Sequence, residues 1–114
     1  MENCVFCGIA SGKIKADIVR ETGNFIVIRD INPVSPVHLL IISRKHFKNI
    51  LDARKDKDFD PCDFFDLVGS LARDYSLEDK GFRTVINTGY DGGQTVGHFH
   101  VHFMAGRGFG WPPG

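Results

Sequence analysis

No stretch of this 114-residue chain approaches the roughly 20 consecutive apolar residues of a membrane-spanning helix, so no membrane is expected as a partner. An excess of one charge is also missing. Fourteen Lys and Arg residues balance fourteen Asp and Glu residues, and the two signs are interspersed. No broad basic surface is therefore expected to meet nucleic acid. Cysteine is scarce, with three in the chain. The opening Met1-Glu2-Asn3-Cys4 shows no basic stretch followed by an apolar one, so no secretory signal is expected and the chain is read as cytoplasmic. An odd cysteine count in that setting argues against a disulfide framework. Repeats, linkers and low-complexity segments are absent, which leaves one domain over residues 1–114, long enough for a modest core.

What the chain does have is histidine in strict alternation: His98-Phe99-His100-Val101-His102-Phe103-Met104. A period of two on Phe, Val and His predicts a strand over 98–105 with three imidazoles on one face. Phe99, Val101 and Phe103 face a core on the other. Residues two apart on a strand are separated by roughly 6.5–7 Å, so His98 and His102 should lie about 13 Å apart. One metal held about 2.1 Å from each nitrogen cannot easily take all three. Two neighbouring histidines with ligands from elsewhere remain open to a metal; the other use is catalytic, with the central imidazole as nucleophile and its neighbours orienting it or handling protons.

The segment before this strand, Asn87-Thr88-Gly89-Tyr90-Asp91-Gly92-Gly93-Gln94-Thr95-Val96-Gly97, is rich in glycine, amide and hydroxyl. Such a loop lets backbone N–H groups converge on an anion, with Gln94 and Thr95 as further donors. It is neither a Walker loop nor a Rossmann turn, because it leads into a strand. A hairpin connection explains the glycines equally well when the loop is taken alone. Beside three imidazoles, it points to a phosphate lying against His100.

The rest of the pattern predicts a short helix over 4–11, strands at Ile18–Glu21 and Phe25–Asp30 around a Thr22-Gly23-Asn24 turn, and a strongly apolar strand at Val37–Ser43. Residues 46–59 are polar and irregular, with room for one helical turn. Asp60 is a good N-cap and Pro61 suits the first helical position. From there Phe64, Phe65, Leu67, Val68, Leu71, Ala72 and Tyr75 recur at helical spacing up to about Leu77, and they are expected in the core. Strands follow at 82–87 and 98–105. The fold class expected is α+β: a five-stranded antiparallel meander with two helices packed on one face.

The run Gly92-Gly93-Gln94-Thr95-Val96-Gly97-His98-Phe99-His100-Val101-His102-Phe103-Met104, with Gly106-Arg107 after it, resembles the histidine triad signature of the HIT family. Upstream, Asp30-Ile31-Asn32-Pro33 and Pro36-Val37-His38 resemble the family's second conserved stretch, and Cys4-Val5-Phe6-Cys7 its opening. The closing Trp111-Pro112-Pro113-Gly114 is similar to the end of the Hint branch. The resemblance implies a HIT-like fold that dimerises across its sheets. It also implies a hydrolase of purine nucleoside 5'-phosphoramidates, or related nucleotide conjugates, acting through a covalent histidyl-nucleotide. His100 would be the nucleophile, and His98 would fix its tautomer through a backbone carbonyl or a neighbouring ring. His102 and His38 would contact the phosphate, with Asn87, Gly93, Gln94 and Thr95 around it. Asp30 would hold the ribose hydroxyls, and Val5, Phe6, Ile9, Ile28, Ile31 and Leu40 would line the base. No cofactor is required for this chemistry. The alternatives are a dinucleoside polyphosphate hydrolase, a nucleotidyl transferase, and a non-catalytic nucleotide- or metal-binding regulatory protein. His102 in the last triad position argues against the uridylyltransferase branch, where glutamine is implied.

Cys4 and Cys7 form a Cys-x-x-Cys pair, and two thiolates need two more ligands for a closed zinc site. His46 and His98 are the candidates, in an arrangement similar to that of some HIT-type proteins and related nucleotidyltransferases. The other reading packs both cysteines as small apolar side chains. Two departures from the family pattern stand out. Ser43 replaces a common proline and is expected to loosen the turn presenting His46, and Gly97 stands where relatives often carry a larger residue.

Overall fold

Strands that are apolar at every position need cover on both faces, and this requirement organises the molecule. A computed structural model describes residues 3–114. Its elements in chain order are α1 (Val5–Ala10), β1 (Ile18–Glu21), β2 (Phe25–Arg29), β3 (Val37–Ser43), α2 (Ile50–Ala53), α3 (Pro61–Asp74), β4 (Arg83–Val85) and β5 (His100–Ala105). The five strands form one antiparallel sheet in the order β1-β2-β3-β5-β4. The number of strands and their antiparallel pairing are those expected; the meander order is not. A simple meander would place β4 beside β3, but β5 takes that position and leaves β4 on the edge.

Alternation sorts β2 and β3 onto two cores. Phe25, Val27, Leu39 and Ile41 join Val101 and Phe103 beneath Leu67, Leu71 and Ala72 of α3. Ile26, Ile28, Leu40 and Ile42 face the other way and pack against Phe6 and Ile9 of α1. The two longer-range helices thus cover opposite faces, which corrects the expectation of helices on one face. With both faces of β2 and β3 apolar, a single layer would have left half of them in water.

Local chemistry sets the element ends. The Asp60 carboxylate accepts from the Cys62 N–H at 2.9 Å and starts α3, with Pro61 in its first turn. The helix stops three residues before Leu77. Ser76 adopts φ 56°, and the Leu77 N–H closes onto the Ala72 carbonyl at 2.8 Å, a Schellman arrangement with serine in the left-handed position. Phe65 is 69 % exposed and does not join the core, because it lies about 100° around the helix from Phe64, which does. The triad strand begins at His100 and not at His98. The Phe99 N–H bonds to the Phe47 carbonyl at 2.7 Å, which bends residues 98 and 99 out of the ladder. β4 is likewise shorter than the expected 82–87.

Ile41 is fully buried at the centre of the sheet, paired with Val27 on one side and Val101 on the other. Ile41→Ala should lower unfolding free energy by about 2–5 kcal/mol, read as a drop in the urea midpoint at unchanged slope. A change below about 1 kcal/mol would contradict this placement of the core.

Candidate active site and metal-ligand cluster

Cross-strand partners share a face, so register alone assembles the site. Ile42 pairs with His100, Leu40 with His102 and His38 with Met104, which puts His38, His100 and His102 on the α1 side of the sheet. His100 is 6 % exposed, and the edge of Phe6 covers it at 5.0 Å between ring centroids. Its Nδ1 lies 2.7 Å from the backbone carbonyl of His98. A carbonyl only accepts, so Nδ1 carries the proton and Nε2 keeps its lone pair. Of the two ways in which His98 was expected to act on His100, the backbone carbonyl is the one present.

His102 is set in the opposite tautomer. The Val34 N–H donates to His38 Nδ1 at 3.1 Å, so His38 carries its proton on Nε2. That proton serves His102 Nδ1 at 2.9 Å, with Asp30 Oδ2 3.3 Å away. His102 therefore carries its own proton on Nε2. One ring on this face keeps a lone pair and its neighbour, 5.4 Å away, keeps a donor. Burial pushes the His102 pKa below the ordinary imidazole value, with the neighbouring His100 and His38 acting in the same direction and Asp30 opposing. Asp30, His38 and His102 bring three ligand atoms together. A metal there would need an anionic imidazole at His38, whose Nδ1 already accepts, so the trio is a hydrogen-bond chain. Asp30 also accepts from the Asn32 N–H at 2.8 Å, which fixes the carboxylate that sequence reading assigned to ribose.

A second constellation lies where α1 meets the start of the triad. Cys4 caps α1, and its sulfur accepts from the Cys7 N–H at 3.4 Å. Cys4 Sγ lies 3.2 Å from His98 Nδ1, Cys7 Sγ lies 3.2 Å from His46 Nδ1, and the two Nδ1 atoms are 3.1 Å apart. All four ligand atoms fall within 4.8 Å of one another. Zinc–sulfur and zinc–nitrogen bonds of ordinary length give a tetrahedron with edges of about 3.3–3.8 Å, so the four donors fit that ion. His98 Nε2 donates to the Ser43 carbonyl at 2.7 Å, which leaves the Nδ1 lone pair to the cluster. Burial holds the His98 pKa down, and burial with the adjacent Cys4 sulfur holds the Cys7 thiol up. The expectation for Ser43 is corrected. Its buried hydroxyl donates to the Lys45 carbonyl at 2.8 Å and ties the turn that presents His46.

Other expected site residues divide. Phe6, Ile9, Ile28 and Leu40 come together in the α1-side core, whereas Val5 is half-exposed and Ile31 is 91 % exposed. In the loop, Gly93 takes φ 75° and lies exposed beside Thr95, with Asn87 half-buried. Gln94 does not present free donors. Its amide nitrogen donates to the carbonyls of Lys48 and Val96, and its oxygen accepts from the Gly89 N–H at 3.1 Å. Its geometry serves to staple the loop. Sequence reading missed the Val34 N–H and the Ser43 carbonyl, since backbone groups leave no side-chain pattern. Arg83 and Val85 of β4 pair with Met104 and His102 and so lie on the face of His102.

Comparison with known proteins agrees with this geometry. The family model described as HIT domain matches residues 11–109. The protein HitA of Neisseria gonorrhoeae is 41 % identical over 104 residues, covering 91 % of this chain and 96 % of that one. An uncharacterized HIT-like protein of Synechococcus elongatus is 40 % identical over 113 residues, covering 99 % and 98 %. Among solved structures, a HIT family hydrolase from Legionella pneumophila superposes with TM-score 0.89 at 42 % identity, covering 98 % of this chain and 100 % of that one. A histidine triad nucleotide-binding protein from Candida albicans gives TM-score 0.76 at 27 % identity, covering 96 % and 83 %. The chain belongs to the HIT domain family.

The depressed His102 pKa has a consequence for stability. The folded state binds fewer protons than the unfolded one, whose imidazole titrates near about 6.5. The contribution is therefore present above about pH 6.5 and is lost as pH falls through the folded value. Melting temperature should drop over that range, and His102→Gln should drop less steeply. Parallel curves for the two proteins would contradict the shift.

Proposed function

We propose that this HIT-domain protein hydrolyses purine nucleoside 5'-phosphoramidates or related nucleotide conjugates, with His100 as nucleophile. The observation that carries this reading is the bond from His100 Nδ1 to the His98 carbonyl, which in the neutral ring puts the proton on Nδ1 and leaves the lone pair on Nε2. Nε2 attacks the α-phosphorus. The bond from phosphorus to the leaving nitrogen breaks with its electron pair on that nitrogen, which takes a proton from solvent. His102 Nε2–H supplies a hydrogen bond to a phosphate oxygen as charge builds there. Water then attacks the histidyl phosphorus, the Nε2–phosphorus bond breaks, and the nucleoside monophosphate leaves. The amides of the loop around Gly93 and the side chains of Thr95 and Asn87 bind the phosphate. Asp30 holds the ribose, and Ile9, Ile28 and Leu40 line the base. The name of the Legionella relative as a hydrolase and of the Candida relative as nucleotide-binding supports the class. The Trp111-Pro112-Pro113-Gly114 ending supports the Hint branch over dinucleoside polyphosphate hydrolases.

In the same reading, Cys4, Cys7, His46 and His98 hold one structural zinc. These four residues would hold the ion without any step of the reaction passing through it, and His98, held there, presents the backbone carbonyl that orients His100. The protein works as a homodimer in the cytoplasm. The exposed edge strand β4 supports a second copy, and no helix among the described residues is long and apolar enough to cross a membrane.

His100→Gln should lower turnover of adenosine 5'-phosphoramidate by at least about three orders of magnitude while nucleotide affinity stays within a few-fold. Turnover near that of the unaltered protein would overturn the assignment, and tight binding without any turnover in the unaltered protein would favour the regulatory reading. Protein purified without an affinity tag should contain one zinc per chain, and chelation should lower its melting temperature. A folded, metal-free protein indifferent to chelator would remove the zinc site.

A further inference from the structure

The proposed reaction makes no chemical use of the two sulfurs beside the triad. Cys4 is the N-cap of α1, and Cys7 lies one turn on. The Cys4 sulfur sits over that turn and accepts from the Cys7 N–H at 3.4 Å. Both sulfurs converge on one atom, His98 Nδ1, at 3.2 Å and 3.5 Å, and they fall within 4.8 Å of each other. A disulfide needs its sulfurs about 2.05 Å apart. Cysteine turns on a single side-chain bond, so rotation at χ1 is the movement that closes this gap. Cys-x-x-Cys across a first helical turn is also the spacing at which thiols pair in redox motifs. Both cysteines are free and half-buried, and Asn3 and Val5 on either side of Cys4 are exposed, so a small oxidant has access. The third thiol, Cys62, is exposed in the first turn of α3.

The first turn of α1 reaches the nucleophile by two routes. Phe6 stands between the cysteines in sequence, and its ring meets His98 at 5.8 Å and His100 at 5.0 Å between centroids. His98, on which both sulfurs converge, supplies the carbonyl that orients His100. The His98 ring has two anchors, the Ser43 carbonyl at Nε2 and the cysteine cluster at Nδ1. A bond between the sulfurs removes the second anchor. A disulfide is neither a thiolate ligand nor an S–H donor, so His98 Nδ1 and His46 Nδ1 would keep only each other, 3.1 Å apart.

We infer that Cys4 and Cys7 form a reversible disulfide under a peroxide, and that this modification opens the four-donor cluster and slows the enzyme. One sulfur attacks a peroxide oxygen, the O–O bond breaks, and a sulfenic acid and a water form. The other sulfur attacks the sulfenic sulfur, the S–O bond breaks, and a second water leaves. The pair gives up two electrons, and the peroxide ends as two waters. The protons come from the thiols, or from solvent where the sulfurs are zinc-bound thiolates. The effect on turnover rests on the proposed function and on zinc at this cluster; the disulfide itself rests on neither.

The test treats zinc-loaded protein with hydrogen peroxide, in a Cys62→Ser variant to silence the third thiol and in the unaltered protein. Peptide mapping after thiol blocking should find Cys4 joined to Cys7 in both. Zinc should reach a chromogenic chelator in step with that bond, and the melting temperature should fall. Turnover of adenosine 5'-phosphoramidate should drop about tenfold or more, the scale on which losing the support of a metal ligand acts. Dithiothreitol with added zinc should restore all three readings. That reversal separates the pair from Met104 of β5, whose sulfoxide needs a reductase. Cys4 and Cys7 found as separate sulfinic acids, or left as thiols while Cys62 is oxidised, would overturn the inference. A disulfide that leaves zinc content, melting temperature and turnover unchanged would overturn its regulatory role. Protein that takes up no zinc yet forms the reversible disulfide would uphold the pair and overturn the zinc reading. A reversible disulfide that releases zinc from a protein without hydrolase activity would uphold the pair and overturn the proposed function.

Discussion

The hydrogen bond from His100 Nδ1 to the carbonyl of His98 constrains everything else at this site. It works only if the backbone at His98 is held still, and His98 is held on several sides. It is fully buried, its Nε2 is bonded to the Ser43 carbonyl, and its Nδ1 faces Cys4, Cys7 and His46. The edge of Phe6 packs against both His98 and His100. Helix α1 and its N-cap Cys4 thus supply a core wall, two sulfur ligands and the ring that covers the nucleophile.

The sheet explains why such a short helix suffices. α3, with Phe47, Ala53 and Leu77, covers the long apolar face, and the other face carries polar chemistry over its β5 half and apolar cover over its β2 half. Placing β5 between β3 and β4 puts the triad in the interior of the sheet, flanked by His38 on one neighbour and by Arg83 and Val85 on the other. A meander with β4 inside would have put the imidazoles on an edge, where strands are short and frayed and geometry is loose.

Much of this was legible in the residues because period-two alternation carries the same information as the sheet. Val37–Ser43 and Ile18–Glu21 match the expected strands residue for residue. Asp60 and Pro61 marked the start of α3 because capping is local chemistry. What could not be read depended on contacts far apart in sequence. The bond from Phe99 to Phe47 moved the start of β5, and the demand for cover on both faces split the helices between them. Gln94 read as a phosphate donor because an amide in a glycine loop has free donors until the carbonyls of Lys48 and Val96 are brought to it. The tautomer of His102 was likewise hidden, since it is set through His38 by the backbone N–H of Val34.

The central claim is that His100 Nε2 is a nucleophile toward phosphorus. Its most direct test is the intact mass of the protein quenched in acid-free solution during turnover of a slowly departing adenosine phosphoramidate, followed by peptide mapping. The account gives one adenylyl group per chain, acid-labile and located on His100. Steady hydrolysis with no adduct on His100, or an adduct on another residue, would contradict it.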